Sequence, residues 1–304
     1  MLVASLPLRA QEVPVERTAA RIGMLTDALC AGRGTGSEGN LLAGIWIAGE
    51  FGRIGLQMPD SSFFRGFTTP SGGSARNVIG FLPGKASAKR YVVIGAHYDH
   101  IGTLGSVLYP GADSNASGIA AMLGLADLLH AKGGLYHNVI FVAFDAKSHG
   151  MGGSKEMVRL LRSGALTDPA TGAKVTLRDI DFMVNIDQVG GTSEPLASGR
   201  PDYLMMLSDE KSGRRQDLIA VNSGKGGPML DISFSYYGSK DFTNVFYRKV
   251  SDQRAFLEAG IPSVMFTSGI TRYNNKPTDS PEVIDHPVLQ RRISLIYRYL
   301  ERCL

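Results

Sequence analysis

Cysteine is nearly absent from this chain: two of 304 residues, Cys30 and Cys303, beside a single tryptophan. Their spacing suits neither a zinc knuckle nor a redox pair, which excludes a disulfide scaffold and a cysteine-ligated metal cluster. In an exported protein the two would form one bridge tying the first and last helices; otherwise they are quiet thiols. Long apolar runs are missing as well. No stretch approaches the roughly 20 residues that a membrane helix needs, so no integral membrane segment is expected. Basic runs are equally scarce, since Lys and Arg never cluster beyond a pair, and the net charge of +4 is spread along the chain. A solvated basic surface is therefore expected rather than a nucleic-acid partner.

What is present describes an ordinary globular chain: 43% hydrophobic residues, 20% charged, and a mean hydropathy of -0.01. Residues 12–304 are expected to form a single domain, with no repeat and no linker strong enough to divide them. The opening "MLVASLPLRAQE" has a short apolar run followed by Leu-Arg-Ala and Gln11. Residues 1–11 read as a truncated secretory signal, and hence as a mark of periplasmic or secreted location; an ordinary apolar arm is the competing reading.

Helices are expected over residues 19–29 and 41–51, where Leu42, Ile45, Trp46, Ala48 and Phe51 recur near the 3.6 period. Residues 77–84 and 91–99 read as strands. An amphipathic helix follows over 117–132, with Ser114, Asn115 or Ser117 as N-cap candidates. "NVIFVAF" is a strand buried on both faces, ending at Phe144, with a helix starting near Ser154. Further strands are expected at 181–187, 203–207 and 262–268, then a closing helix over 287–300. The stretch 190–238 is harder to parse and reads as a place for an insertion. Strands alternating with helices predict an α/β fold, a three-layer α/β/α sandwich around a mixed, mostly parallel sheet.

In such sheets chemistry sits at the carboxyl ends of the strands. Three predicted strand ends carry polar residues that a core would not choose: "AHYDH" with His97, Asp99 and His100; the loop "GADSNASG" with Asp113; and "NIDQVG" with Asp187. An imidazole and two carboxylates on neighbouring strand tips suit Zn²⁺, with Asp99 orienting His97 from behind. Each has a plainer reading too. Asp113 serves a helix N-terminus equally well, and His97 could be a hydrogen-bonded core histidine.

With "GRGTGSEGN", "NVIGFLPGK", "GAHYDHIG", "GADSNASGIAAMLGLADLL" and "SDQRAFLEAGIPSVMFTSG" in this order, the chain resembles metallopeptidase family 28 from about residue 20 to 300. These zinc-dependent exopeptidases are di-zinc aminopeptidases and their glutaminyl cyclase relatives. The resemblance implies His97, Asp113 and Asp187 as ligands of the first zinc, with Asp113 bridging both metals and Asp99 behind His97. The other half of the site departs from the pattern. Lys147 and Ser148 stand where the family has two adjacent glutamates, the general base and a ligand of the second zinc. Asn275, or Asn274 after a one-residue shift, stands where that zinc's histidine belongs, and Gln253 replaces a frequent histidine.

The expectation is a peptidase-like protein with impaired catalysis. Ser148 and Asn275 are neutral and poor zinc ligands, so at most one zinc ion is expected, and none is a further outcome. A positioned general base contributes about 10²–10⁴-fold in rate, and a lysine kept charged by aspartates is a poor substitute. The ammonium has a structural use instead. Carboxylates such as Asp99, Asp113 and Asp187 repel by ~4 kcal/mol per pair at about 4 Å and an effective dielectric of about 20. Lys147 would neutralise them, and the retained cleft would bind a peptide or protein. Alternatives are a single-zinc hydrolase with His100 or His149 as base, a Ser148–Lys147 nucleophile pair, and an interaction module whose cleft is filled.

Overall fold

A computed structural model describes residues 12–194, 199–209 and 213–304, so the signal-like residues 1–11 lie outside the described residues. Its helices are α1 Val15–Thr26, α2 Glu38–Ile54, α3 Ser117–Lys132, α4 Gly152–Ser163, α5 Arg214–Ser223, α6 Lys240–Lys249, α7 Gln253–Glu258 and α8 His286–Cys303. Its strands are β1 Phe64–Thr68, β2 Ser74–Leu82, β3 Tyr91–His97, β4 Gly102–Leu104, β5 Val107–Tyr109, β6 Asn138–Phe144, β7 Leu166–Thr167, β8 Lys174–Val175, β9 Ile180–Ile186, β10 Leu204–Ser208, β11 Ile232–Ser233 and β12 Ser263–Thr267.

Eight strands form one sheet in the order β1-β2-β6-β3-β9-β12-β10-β11, while β4–β5 and β7–β8 are separate hairpins. The centre, β6-β3-β9-β12, is parallel, and β2 and β10 join it antiparallel on either side. The strand period of two sorts the side chains into two cores. Val92, Ile94 and Ala96 of β3 pack with Ile22, Phe51, Ile119 and Leu289 from α1, α2, α3 and α8. Tyr91 and Val93 point the other way, to Met157 and Leu161 of α4 and Phe256 of α7. The expected three layers and mixed sheet are therefore present.

Gly95 is the one β3 residue on the α4–α7 side that must stay small. A Cβ there would run into the ring of Phe144 on the adjacent strand. Replacing Gly95 by alanine is expected to displace that ring and cost about 2 kcal/mol, read as a lower denaturant midpoint at an unchanged slope.

The structure defines several of these segments more closely. The first helix ends at Thr26 because Asp27 starts a separate 3₁₀ segment, Ala28–Arg33, its carboxylate accepting from the Leu29 N–H at 2.8 Å. Cys30 and Cys303 are free: Cys30 is buried, its thiol donating to the Met24 carbonyl, while Cys303 sits in the last turn of α8. The stretch 190–238 holds β10, α5 and β11 and so extends the sheet. Gly102–Leu104 and Val107–Tyr109 form the β4–β5 hairpin, and Gly102 and Thr103 line a cavity together with Ser148 and His149. Among the described residues no helix is long and apolar enough to cross a membrane.

Buried Arg33 fastens the N-terminal segment to the strand ends. Its guanidinium donates to the carbonyls of Tyr98 at 2.7 Å, Pro110 at 2.8 Å, Gly111 at 2.8 Å and Leu25. Burial pushes its pKa down to about 10.

Candidate active site

His97 ends β3, Asp187 follows β9 and Lys147 follows β6, so parallel pairing brings all three to one edge of the sheet. The His97 Nε2 lies 3.4 Å from Asp187 Oδ1, and Lys147 Nζ donates to Asp187 Oδ2 at 2.9 Å. The Ser251 hydroxyl donates to the same Oδ2. Burial alone would raise the Asp187 carboxyl, but the Lys147 ammonium and His97 hold it well below the usual carboxylate range. Burial likewise opposes the charge on Lys147, and Asp187 overcomes it, leaving the ammonium above its ordinary pKa.

Asp99 has a different task from the one expected. Its Oδ1 accepts the Lys147 N–H at 3.0 Å, and its Oδ2 accepts the Ser148 N–H at 3.2 Å and hydroxyl at 2.8 Å. It thus shapes the turn after β6. His97 Nδ1 is 3.0 Å from the Asp99 backbone carbonyl and 3.7 Å from its carboxylate, so the carbonyl is what orients the ring. The Lys147–Ser148 nucleophile pair is not assembled: the ammonium turns to Asp187, and the Ser148 hydroxyl turns to Asp99 and to His149 Nδ1 at 3.2 Å. His100 is buried, and desolvation pushes its pKa down to about 2, so it stays neutral.

Asp113 does not join His97 and Asp187. Its Oδ1 accepts the N–H groups of Gly190 at 2.8 Å and Gly191 at 3.0 Å and the Ser117 hydroxyl at 3.1 Å, while Oδ2 has no partner. Burial raises its pKa. The loop faces the cleft through the next residue, Ser114. Together with Lys147, Asp187, Gln188, Asn274 and Asn275, Ser114 lines a cavity of about 260 Å³ whose apolar wall includes Phe246 and Val250. The cleft is therefore not filled.

Sequence reading missed three residues here. Buried Asp145 accepts from Thr35, Asn40, Tyr98 and the Arg76 and Ala146 N–H groups, joining four segments behind the turn. Burial pushes its pKa up to about 6. Ser251 completes a chain in which the Asn185 amide donates to Ser251 at 2.9 Å and to Gln253 at 2.7 Å. Gln253 in turn donates to the Tyr247 and Val250 carbonyls, a structural role at the end of α6. Asp252 is fully buried with neither oxygen hydrogen-bonded, and burial raises its pKa to about 6. The polar "SDQ" was the only sequence signal for Ser251 and Asp252.

These side chains do not fit a pair of zinc ions. Ser148 is turned to Asp99, Asn275 is uncharged, and Asp187 is already engaged by an ammonium. Among the described residues no three His, Cys, Asp or Glu side chains are grouped to hold a metal.

The fold is thus a parallel-centred α/β/α sandwich with a polar cleft at the carboxyl ends of β3, β6 and β9. The chain belongs to peptidase family M28, whose sequence pattern matches residues 77–300. It is 26% identical over 249 residues to the uncharacterized protein YfbL of Escherichia coli K12, covering 75% of this chain and 72% of that protein. A probable zinc metalloprotease of Pyrenophora tritici-repentis is 26% identical over 213 residues, 62% of this chain; the match spans only 45% of that protein. Among solved structures, BSAP, a zinc aminopeptidase from Bacillus subtilis, superposes with a TM-score of 0.72 at 17% identity, covering 96% of both chains. Porphyromonas gingivalis glutaminyl cyclase does so with a TM-score of 0.69 at 14% identity, covering 97% of this chain and 100% of that one. At these identities the structural likeness is one of fold.

Proposed function

We propose that this M28-family protein has lost di-zinc hydrolysis and keeps its cleft as a binding site for a peptide or protein segment. One observation carries the reading: the Lys147 ammonium lies 2.9 Å from Asp187, a cation supplied by the chain itself on one of the expected ligands. The neutral Ser148 and Asn275, and the engagement of Asp113 with the Gly190–Gly191 backbone, support it. The cavity of about 260 Å³ supports retention of binding, since a merely structural relic could have closed it.

Metal analysis of protein purified without chelator, combined with an aminoacyl-amide hydrolysis assay, tests this. The expected result is no stoichiometric zinc, no turnover above background, and a melting temperature unmoved by a chelator. About two zinc ions per chain would overturn the reading. One zinc per chain, with hydrolysis abolished in His97→Ala, would replace it by a single-zinc hydrolase.

A further inference from the structure

We propose that a second cavity, across α6 from Lys147, binds acidic side chains of the same polypeptide ligand, an inference that rests on the cleft being a peptide site. The cavity is about 490 Å³ and opens between the end of β10, the edge strand β11 and α6. Among the described residues its lining carries three cations, Arg215, Lys240 and Arg248, against one carboxylate, Asp209. Lys240 and Arg248 are exposed and take part in no ion pair among the described residues. Ser208 also lines it, is only 7% exposed, and has a hydroxyl with no hydrogen-bond partner. A buried hydroxyl left unpaired beside cations is a donor suited to a carboxylate.

Helix α6 links this cavity to the cleft. Lys240 and Arg248 line the cavity, whereas Phe246, with Val250 just past the helix end, lines the cleft. On the same helix Phe242 is 43% exposed and Val245 51% exposed, two apolar side chains open to a ligand that crosses α6. A chain that leaves the cleft and crosses α6 meets apolar contacts first and a basic cavity next. A flat bilayer could touch Phe242 and Val245 but could reach neither Ser208 nor the cleft. A lone phosphate would leave most of the cavity empty. The ligand that engages all three surfaces is an extended polypeptide with apolar residues followed by aspartates or glutamates.

Fluorescence anisotropy with two labelled peptides tests this: one with an apolar half and a glutamate-rich half, the other with the apolar half alone. The acidic peptide is expected to bind the wild-type chain more tightly, and K240E/R248E to weaken it at least about tenfold while leaving the apolar peptide unaffected. K240Q/R248Q, which removes the cations without inverting charge, should weaken it in the same direction and covers the case in which the double glutamate fails to fold. If both peptides bind equally and the variants change nothing, the cavity proposal falls and the cleft reading stands. If neither peptide binds, both fall. Binding to phosphatidylserine vesicles in place of the acidic peptide, lost in K240E/R248E, would also overturn the proposal. Full competition by inorganic phosphate at millimolar concentration would do the same.

Discussion

Lys147→Met should destabilise the fold by about 3 kcal/mol, because it strands a buried carboxylate whose partner charge has been removed. Asp187 is 4% exposed and would keep only His97 and Ser251, whereas the Lys147 side chain is 24% exposed and loses little by truncation. Adding Asp187→Asn in the same chain is expected to recover about half of the loss, since the stranded charge goes with it. The pH dependence follows from the two shifts. Asp187 is held below the usual carboxylate range, so its share of stability is present above that range and lost only as pH falls through the lowered value. Lys147 is raised, so its share is present below the ordinary lysine range and lost as pH rises through the raised value. The deficit of Lys147→Met should therefore be constant from about pH 5 to about pH 9. Thermal melts of both proteins across that span check it, and a deficit that vanished near neutrality would refute a permanently charged pair.

Arg33→Met is expected to cost more, about 4 kcal/mol, and to loosen the N-terminal segment from the sheet edge. The change keeps most of the aliphatic length but leaves the carbonyls of Leu25, Tyr98, Pro110 and Gly111 without their shared donor in a site closed to water. Arg33→Lys should restore little, because a single ammonium cannot reproduce the planar fork that reaches carbonyls on three segments. Denaturant unfolding gives the size of the loss. Hydrogen exchange localises it: protection should fall first over the 3₁₀ segment and the Gly111 loop, and a uniform loss would argue against a local clamp.

The central strands were legible because each is a short apolar run closed by polar residues. "NVIFVAF" matches β6 residue for residue, and the helix over Ser117–Lys132 was found with its ends. The edge strands were not. β1 was missed and β11 pairs over two residues only, too short a stretch to leave a period, and its place is set by the neighbouring strand. In the site, His97, Asp187 and Lys147 were recognisable as strand-end residues in a known order. Asp113 and Ser114 were not separable by sequence. In the irregular turn over Ala112–Ala116 Asp113 bonds the Gly190 backbone while Ser114 lines the cleft, and only the fold decides which of them reaches it.

By itself the sequence determined the layered α/β class and the family, and its resemblance to that family set the expectation that Lys147, Ser148 and Asn275 stand in place of two glutamates and a histidine, because residue identity and motif order are local properties. Tertiary structure alone decided that Lys147 pairs with Asp187, that Ser148 and Asp99 close the turn behind it, that Asp113 serves the Gly190–Gly191 backbone, and that α6 stands between two cavities. These are contacts between residues about 40 to 80 positions apart, or between whole elements. Their geometry is set when the sheet assembles and each buried charge and hydrogen-bonding group must find a partner in the space that remains.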